Sequence, residues 1–154
     1  MTLFLALLIG FFGGLRWLTP PAAAAWAAYL GWLRLERPLS LVGAVPAVAV
    51  FTLLAAMELV ADKLPGIPNR TSPPGLIARV LSGGFAGMCV AASGAQGIVL
   101  GAALGVVGGV AGTFAGYHAR TGIVKALGTR DVYVALVEDL IAVAGSVWVV
   151  SRPL

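Results

Sequence analysis

The sequence predicts an all-α membrane protein with about five transmembrane helices, and three observations support that fold class. The 154-residue chain is 60% hydrophobic and 10% charged, whereas charged residues approach a quarter of an ordinary soluble domain. Residues 38–57 and 80–117 contain no charged side chain. The second of these segments would measure about 57 Å as one helix, and a bilayer core is about 30 Å thick. It must therefore fold back, and "SGAQG" at 93–97 is the natural turn.

The first predicted span covers residues 2–18, and "TPP" at 19–21 is expected to break it because proline lacks an amide donor. Residues 22–33 follow as a partial helix of about a dozen residues, which is too short to cross the bilayer easily. This segment is predicted to be either re-entrant or interfacial. Three aromatic side chains recur along it at three-residue spacing, as in an interfacial anchor: Trp26, Tyr29 and Trp32.

The rest of the chain is predicted to add four spans to a single transmembrane domain, residues 1–154. These spans are expected at 39–61, 76–93, 97–117 and 132–151. Pro46 is a predicted kink in the early turns of its span. A proline-rich loop precedes the third span, and a basic connector, "HARTGIVKALGTRD", leads into the fifth.

The distribution of Lys and Arg favours a cytoplasmic N-terminus. With that orientation the inner side carries six basic residues and the outer side four, including Arg16. No Lys or Arg precedes the first apolar segment, so we expect a retained helix rather than a cleaved signal peptide.

Small residues form rows that predict close helix packing. In lipid, such rows allow backbones to approach and helices to associate. In the fourth span one row at i, i+4 spacing is Gly101, Gly105 and Gly109, and a second is Gly108, Gly112 and Gly116. In the first span the corresponding residues are Ala6, Gly10 and Gly14. A sliding surface is the alternative interpretation of these rows.

Two stretches are alike and raise the possibility of an inverted repeat. "GFFGGLR" at 10–16 and "GTFAGYH" at 112–118 share Gly, Phe and Gly, and each ends in a basic residue. Each also precedes a short segment and then an acid-containing span. With five spans, the two halves would have opposite orientations, as in many secondary transporters.

Four of the six acidic residues lie in or at the end of predicted spans, where a charge costs about 2.5–3.5 kcal/mol at mid-bilayer. They are Glu58, Asp62, Glu138 and Asp139. All four are expected in the inner third of the membrane, together with His118 and Arg120. Arg16 is expected on the outer side, where it could bind an anionic group. The acids form either a packing network of ion pairs or a solute or proton site, with His118 as a possible relay.

Adjacent helical residues point about 100° apart, so one pocket is not expected to take both Glu138 and Asp139. We predict that Glu138 faces the interior near Glu58. Asp139 is predicted to pair with a cation of the basic connector.

Several kinds of chemistry are not indicated by the sequence. The single cysteine, Cys89, lies in an apolar run, as an inert buried thiol does. The net charge of +4 is spread without a basic block, which disfavours nucleic-acid binding. We expect no metal, no cofactor and no enzymatic activity, because no nucleophile, base or ligand cluster has a motif spacing.

Three stretches, "GGLRWLTPPAAAAWAAYLGWL", "ELVADKLPGIPNRT" and "AGYHARTGIVKALG…VEDLIAVAGS", make the chain resemble a bacterial family of small integral membrane proteins known as a domain of unknown function. The resemblance covers nearly the whole chain and implies a bacterial inner-membrane protein, without implying an activity. The family's motif positions are Arg16, Glu58, Asp62, Lys63, Pro65, His118, Arg120, Glu138 and Asp139.

Two functions remain open from the sequence. The first is a transporter or channel for a small solute or ion, with or without proton coupling through the carboxylates near the inner membrane face. We expect it to be a homo-oligomer, because five short spans enclose little volume alone. The second is a non-transporting membrane scaffold or assembly partner. A polar cavity reaching Glu58 or Glu138 would favour the first, and acids sealed in ion pairs would favour the second.

Overall fold

The computed structural model of the chain describes residues 1–61, 71–128 and 130–153. These residues form six α-helices and one short 3-10 helix, Leu39–Gly43. The α-helices are α1 (Thr2–Leu15), α2 (Thr19–Tyr29), α3 (Val45–Ala61), α4 (Pro73–Ser93), α5 (Ile98–Leu127) and α6 (Asp131–Val150). The all-α fold class is confirmed over the described part of the chain.

Helices α1 and α2 form a hairpin whose two ends lie at the same end of the molecule. The side chain of Thr2 lies against Gly94, just beyond the C-terminus of α4. The backbone N–H of Arg34, a few residues after α2, donates to the hydroxyl of Ser93 over 3.0 Å. We call this the terminal end of the molecule; the opposite end, where α5 meets α6, is the connector end. Residues 2–18 were predicted to form one crossing span; in the structure α1 ends at Leu15, and α2 turns back toward the terminal end.

The helix break lies before "TPP" rather than within it. Prolines 20 and 21 occupy the first turn of α2, where a helix needs no amide donor and the fixed φ of proline suits the start. The partial helix was predicted at 22–33, whereas α2 begins earlier, at Thr19, and ends at Tyr29. The re-entrant and interfacial placements of this segment both stay predictions.

The start of α3 and the end of α5 also differ from the predicted boundaries. Pro46 lies in the first turn of α3 instead of kinking its interior. Helix α5 has 30 residues, so it is nine residues longer than predicted and absorbs most of the basic connector. Its αL cap at Gly128 then turns the chain into α6.

Three helices, α4, α5 and α6, are long and apolar enough to cross a membrane, while α1 and α3 are shorter apolar helices. This finding supports a membrane protein. Large apolar side chains of α3, α5 and α6 are exposed on the outside of the described structure, as on a surface that faces lipid.

Glycines determine how α1, α4 and α5 pack. A Cβ added to Gly10 would lie less than 3.0 Å from the backbone of Gly105, and one added to Gly105 would approach Gly83 as closely. Real Cβ atoms are essentially never so close, so only glycine permits these contacts. The predicted glycines with an equally close neighbour are Gly14, Gly101, Gly108 and Gly112. An added Cβ on Gly109 would lie 3.0 Å from the Arg79 carbonyl oxygen, and Gly116 is buried.

The two rows of α5 face partly different neighbours. Gly101 contacts α4, Gly105 lies between Gly83 of α4 and Gly10 of α1, and Gly108 and Gly112 contact α1. Contacts also advance in the same direction along both helices, since Gly108 meets Leu7 and Gly112 meets Phe11. Helices α1 and α5 are therefore parallel. This contradicts the inverted repeat, which requires the two stretches to have opposite orientations. The error came from counting the first segment as a crossing helix.

The same error affected the predicted side of the N-terminus. Residues 62–75 and the basic connector were predicted to share a side with it. In the structure, Thr2 lies at the terminal end, and Lys125 and Arg130 flank the α5–α6 turn at the connector end.

Candidate functional site

The candidate site is the break between α1 and α2, where residues 16–18 leave helical geometry. Arg16 has an extended backbone, with φ −140° and ψ 110°. The break lies about 21 Å along α1 from Thr2, at a rise of about 1.5 Å per residue. Non-helical backbone at such a depth is tolerated in membranes only where protein or water satisfies its polar groups.

A carboxylate from α3 satisfies the start of α2. Glu58 accepts hydrogen bonds from the backbone N–H groups of Trp17 and Leu18, each over 2.9 Å. The N-terminus of a helix carries a partial positive charge and unpaired donors. Glu58 is 8% exposed and acts as a cap supplied by another helix.

Side chains from α4 and α5 satisfy the carbonyl groups of the break. The Arg79 Nε donates to the Gly14 carbonyl over 3.2 Å. The Thr113 hydroxyl also lies 3.4 Å from this carbonyl and 2.7 Å from that of Gly109. The Ser82 hydroxyl donates to the Trp17 carbonyl. Hence four backbone groups within five residues are bound by side chains of other helices.

Arg16 brings a full positive charge into this site. Its side chain is fully buried and forms an ion pair with Asp139 of α6. The charges of Arg16 and Arg79 both act on the Glu58 carboxylate. Buried charges of this kind are retained only where partners compensate for the water they have lost.

The prediction for the two adjacent acids is reversed in the structure. Asp139 faces the interior and pairs with Arg16, whereas Glu138 lies 3.6 Å from Arg120 of the former connector. The two acids do point different ways, as helix geometry requires, although both are 8% exposed. The roles were exchanged because Arg16 was expected on the far side of the membrane. The hairpin instead brings it to the same depth as the acids.

A series of charged side chains runs from the break to the connector end. Arg120 binds Asp131 through two hydrogen bonds, one from Nε over 2.7 Å and one from its terminal nitrogen over 2.5 Å. The Asp131 side chain is 59% exposed, while that of Arg120 is 17% exposed. Arg120 then faces Glu138, which precedes Asp139, the partner of Arg16. We call these five residues the charged series.

Other predicted site residues lie apart from the break. His118 is exposed on α5 and contacts the ring of Tyr117, so it does not reach the buried acids. Asp62, Lys63, Pro65 and Arg70 lie outside the described residues. No group of three or more His, Cys, Asp or Glu side chains suitable for a metal occurs in the described part.

Sequence reasoning missed Ser82, Thr113 and the role of Arg79. The available signal was small polar residues beside glycines, in "LSGG" and "AGTF", where the helices approach most closely. Three buried hydroxyls in the described part of the chain, those of Thr19, Ser72 and Ser146, have no hydrogen-bond partner. Grooves border the site, and their walls are mainly apolar. One, of 250 Å³, is lined by Phe11, Leu15, Arg120 and Glu138 among others.

These features define a class of protein: a small helical membrane protein built around a buried, broken hairpin whose backbone is bound by charged side chains. The chain belongs to the family DUF4126, a domain of unknown function, whose profile matches residues 3–154. The family resemblance inferred from the sequence is thereby confirmed. No curated protein and no solved structure matches the chain.

Proposed function

We propose that the protein is a transporter or channel for a small ion or solute, coupled to protons through its buried carboxylates. The observation that carries this proposal is the charged series from exposed Asp131 to buried Arg16. A packing role requires only local pairs. A series that joins the surface to a helix break also provides successive sites for a proton or an ion.

The break itself supports the same proposal. Discontinuous helices in secondary transporters place helix ends and unwound backbone at the substrate site. Here the start of α2 lies beside two arginines, and its donors are held by Glu58. The described conformation corresponds to a closed state, because these acids are buried and paired.

Flux into proteoliposomes tests the proposal. Glu138→Gln keeps the size of the side chain and removes its charge, so we expect it to fold and to lose at least about tenfold in proton-coupled flux. Glu36→Gln is the matched control, since Glu36 is exposed on the loop after α2. If wild-type vesicles carry no flux above protein-free vesicles for protons, halides or alkali cations, the proposal fails.

A membrane scaffold is the second candidate, and one observation favours it. Glu58 and Asp139 are sealed by partners, and the grooves around the site are mainly apolar. A scaffold would retain its fold and assembly in Glu138→Gln and carry no flux in any form. The two candidates are therefore separated by the wild-type flux alone.

Assembly and placement also remain proposals. We propose a homo-oligomer in the bacterial inner membrane, formed through exposed apolar faces such as that of α3, which includes Val50, Leu53 and Met57. We place the connector end in the cytoplasm. Arg120, Lys125 and Arg130 lie there, and basic residues are enriched on the cytoplasmic side of membrane proteins. The N-terminus would then be external.

A further inference from the structure

The carboxylate of Glu58 occupies the break as an anion that belongs to the chain itself. Its two carboxylate oxygens each accept one backbone N–H at the start of α2, which is the arrangement by which helix N-termini bind free anions. Two buried guanidinium groups, Arg16 and Arg79, add positive charge around the same carboxylate. The site is therefore built for negative charge, and the chain fills it with its own side chain.

We infer that a small monovalent anion takes the place of the Glu58 carboxylate when that carboxylate is protonated and withdraws. This inference rests on the proposed function and names its substrate class: an anion the size of chloride or formate, bound together with one proton. The proton goes to a carboxylate oxygen of Glu58. The released N–H groups of Trp17 and Leu18 then donate to the incoming anion.

Thr19 provides an independent observation that points to a ligand. Its hydroxyl is in the first turn of α2, is 6% exposed by residue, and has no hydrogen-bond partner. The same side chain lines a groove of 430 Å³ that also passes Ala55 and Leu59, which flank Glu58 by about one turn or less along α3. An anion beside the start of α2 would give this unused donor an acceptor, and the groove offers space for the displaced side chain.

Charge balance gives the stoichiometry. Among the described residues, the charged groups that act on Glu58 are Arg16 at the break and Arg79 on α4. Asp139 on α6 contributes to the charge of the site indirectly, because it forms an ion pair with Arg16. Helix α2 and the 3-10 helix that pack on α3 contribute no charged side chain. Protonation of Glu58 removes one negative charge from this site, and one monovalent anion restores it.

Anion rescue of Glu58→Ala tests the inference by binding alone. This variant empties the carboxylate position and leaves the N–H groups of Trp17 and Leu18 without their acceptor. In detergent at about pH 8, where free carboxylates are ionised, we expect a lowered melting temperature followed by tryptophan fluorescence. Saturating formate or chloride should raise it by about 5 °C, and gluconate at equal ionic strength should not.

Two controls separate this effect from general salt stabilisation. Ser82→Ala removes another side-chain hydrogen bond at the same break but leaves Glu58 in place, so formate should not rescue it. Wild-type protein at about pH 8 should also be insensitive, whereas at about pH 4.5, where carboxyl groups begin to protonate, it should gain stability from chloride. This second measurement applies even if Glu58→Ala does not fold.

The outcomes for the site and for transport are distinct. Rescue of Glu58→Ala, or chloride stabilisation of acidified wild type, supports the anion site even if no flux is found, and in that case the transport proposal fails alone. Equal responses to formate, chloride and gluconate in every form overturn the anion site, whether or not vesicles show flux.

Discussion

The two arms of the hairpin are held in different ways. Helix α1 lies between α4 and α5 with backbone against backbone, at distances that only glycine allows. Helix α2 packs through alanines such as Ala23, Ala24 and Ala27, and grooves of 430 and 530 Å³ lie along its contacts with α3, α4 and α6. The comparison teaches that close backbone packing fixes one arm, while the other has space to move about the break.

The largest expected effect comes from breaking the α1 contact. Gly112→Leu places a side chain where a Cβ alone would lie less than 3.0 Å from the Phe11 backbone of α1, so we expect loss of monodisperse protein by size-exclusion chromatography. Gly122→Leu on the same helix is the control. An added Cβ there meets nothing within 4 Å, and leucine favours helix by about 0.7 kcal/mol over glycine. Equal behaviour of the two variants would mean that the glycine contact is not what fixes α1.

The next effect concerns the ion pair that ties the break to α6. Asp139→Asn leaves the fully buried Arg16 without this carboxylate, so the free energy of unfolding should fall by about 3 kcal/mol. Glu138→Gln should cost about 1 kcal/mol, because Arg120 retains Asp131. Unfolding by SDS titration measures both. A larger loss in Glu138→Gln would restore the assignment that the sequence suggested.

Amide hydrogen exchange of the wild-type protein compares the two arms of the hairpin directly. Amide hydrogen exchange in detergent should be about tenfold faster in α2 than in α1, because exchange follows local opening and α2 borders open grooves. Peptides covering residues 5–14 and 22–29 provide the comparison. Slower exchange in α2 would show that the alanine contacts hold this arm as firmly as the glycines hold the other.

The smallest effect concerns the attachment of α2 to α3. The Trp26 indole N–H donates to the Thr52 hydroxyl over 2.9 Å, and this pair is partly exposed. Thr52→Val keeps the shape and removes the acceptor, so we expect a loss of about 1 kcal/mol or less in the free energy of unfolding. Exchange in α2 should rise slightly, and exchange in α1 should not change.

The sequence predicted helix positions well where composition alone determines them. The fifth span was predicted at 132–151, and α6 runs over Asp131–Val150, because its apolar run ends at clear polar boundaries. The glycine rows also correctly marked the closely packed face of α5. Hairpin geometry could not be predicted in this way, because a 14-residue α1 is apolar enough to look like a short crossing helix.

The candidate site was predicted in part for a similar reason. Glu58 and Asp139 stood out because charges are rare in this chain. The partners of Glu58 did not, since they are the backbone N–H groups of Trp17 and Leu18. Every non-proline residue has such groups, and only the tertiary fold shows which of them lack a helical partner. The misplaced Arg16 then led to the exchanged roles of Glu138 and Asp139.

The break is bound by side chains that are synthesised after it, and this order matters for membrane insertion. The hairpin is synthesised first, but the side chains that bind its backbone and charge come from every later α-helix: Glu58 from α3, Arg79 and Ser82 from α4, Thr113 from α5, and Asp139 from α6. During co-translational insertion, the Asp139 partner of Arg16 is therefore added only with the last helix. A nascent chain that stops before α6 would lack this ion pair at the break, which gives membrane quality-control proteases a basis for removing incomplete chains.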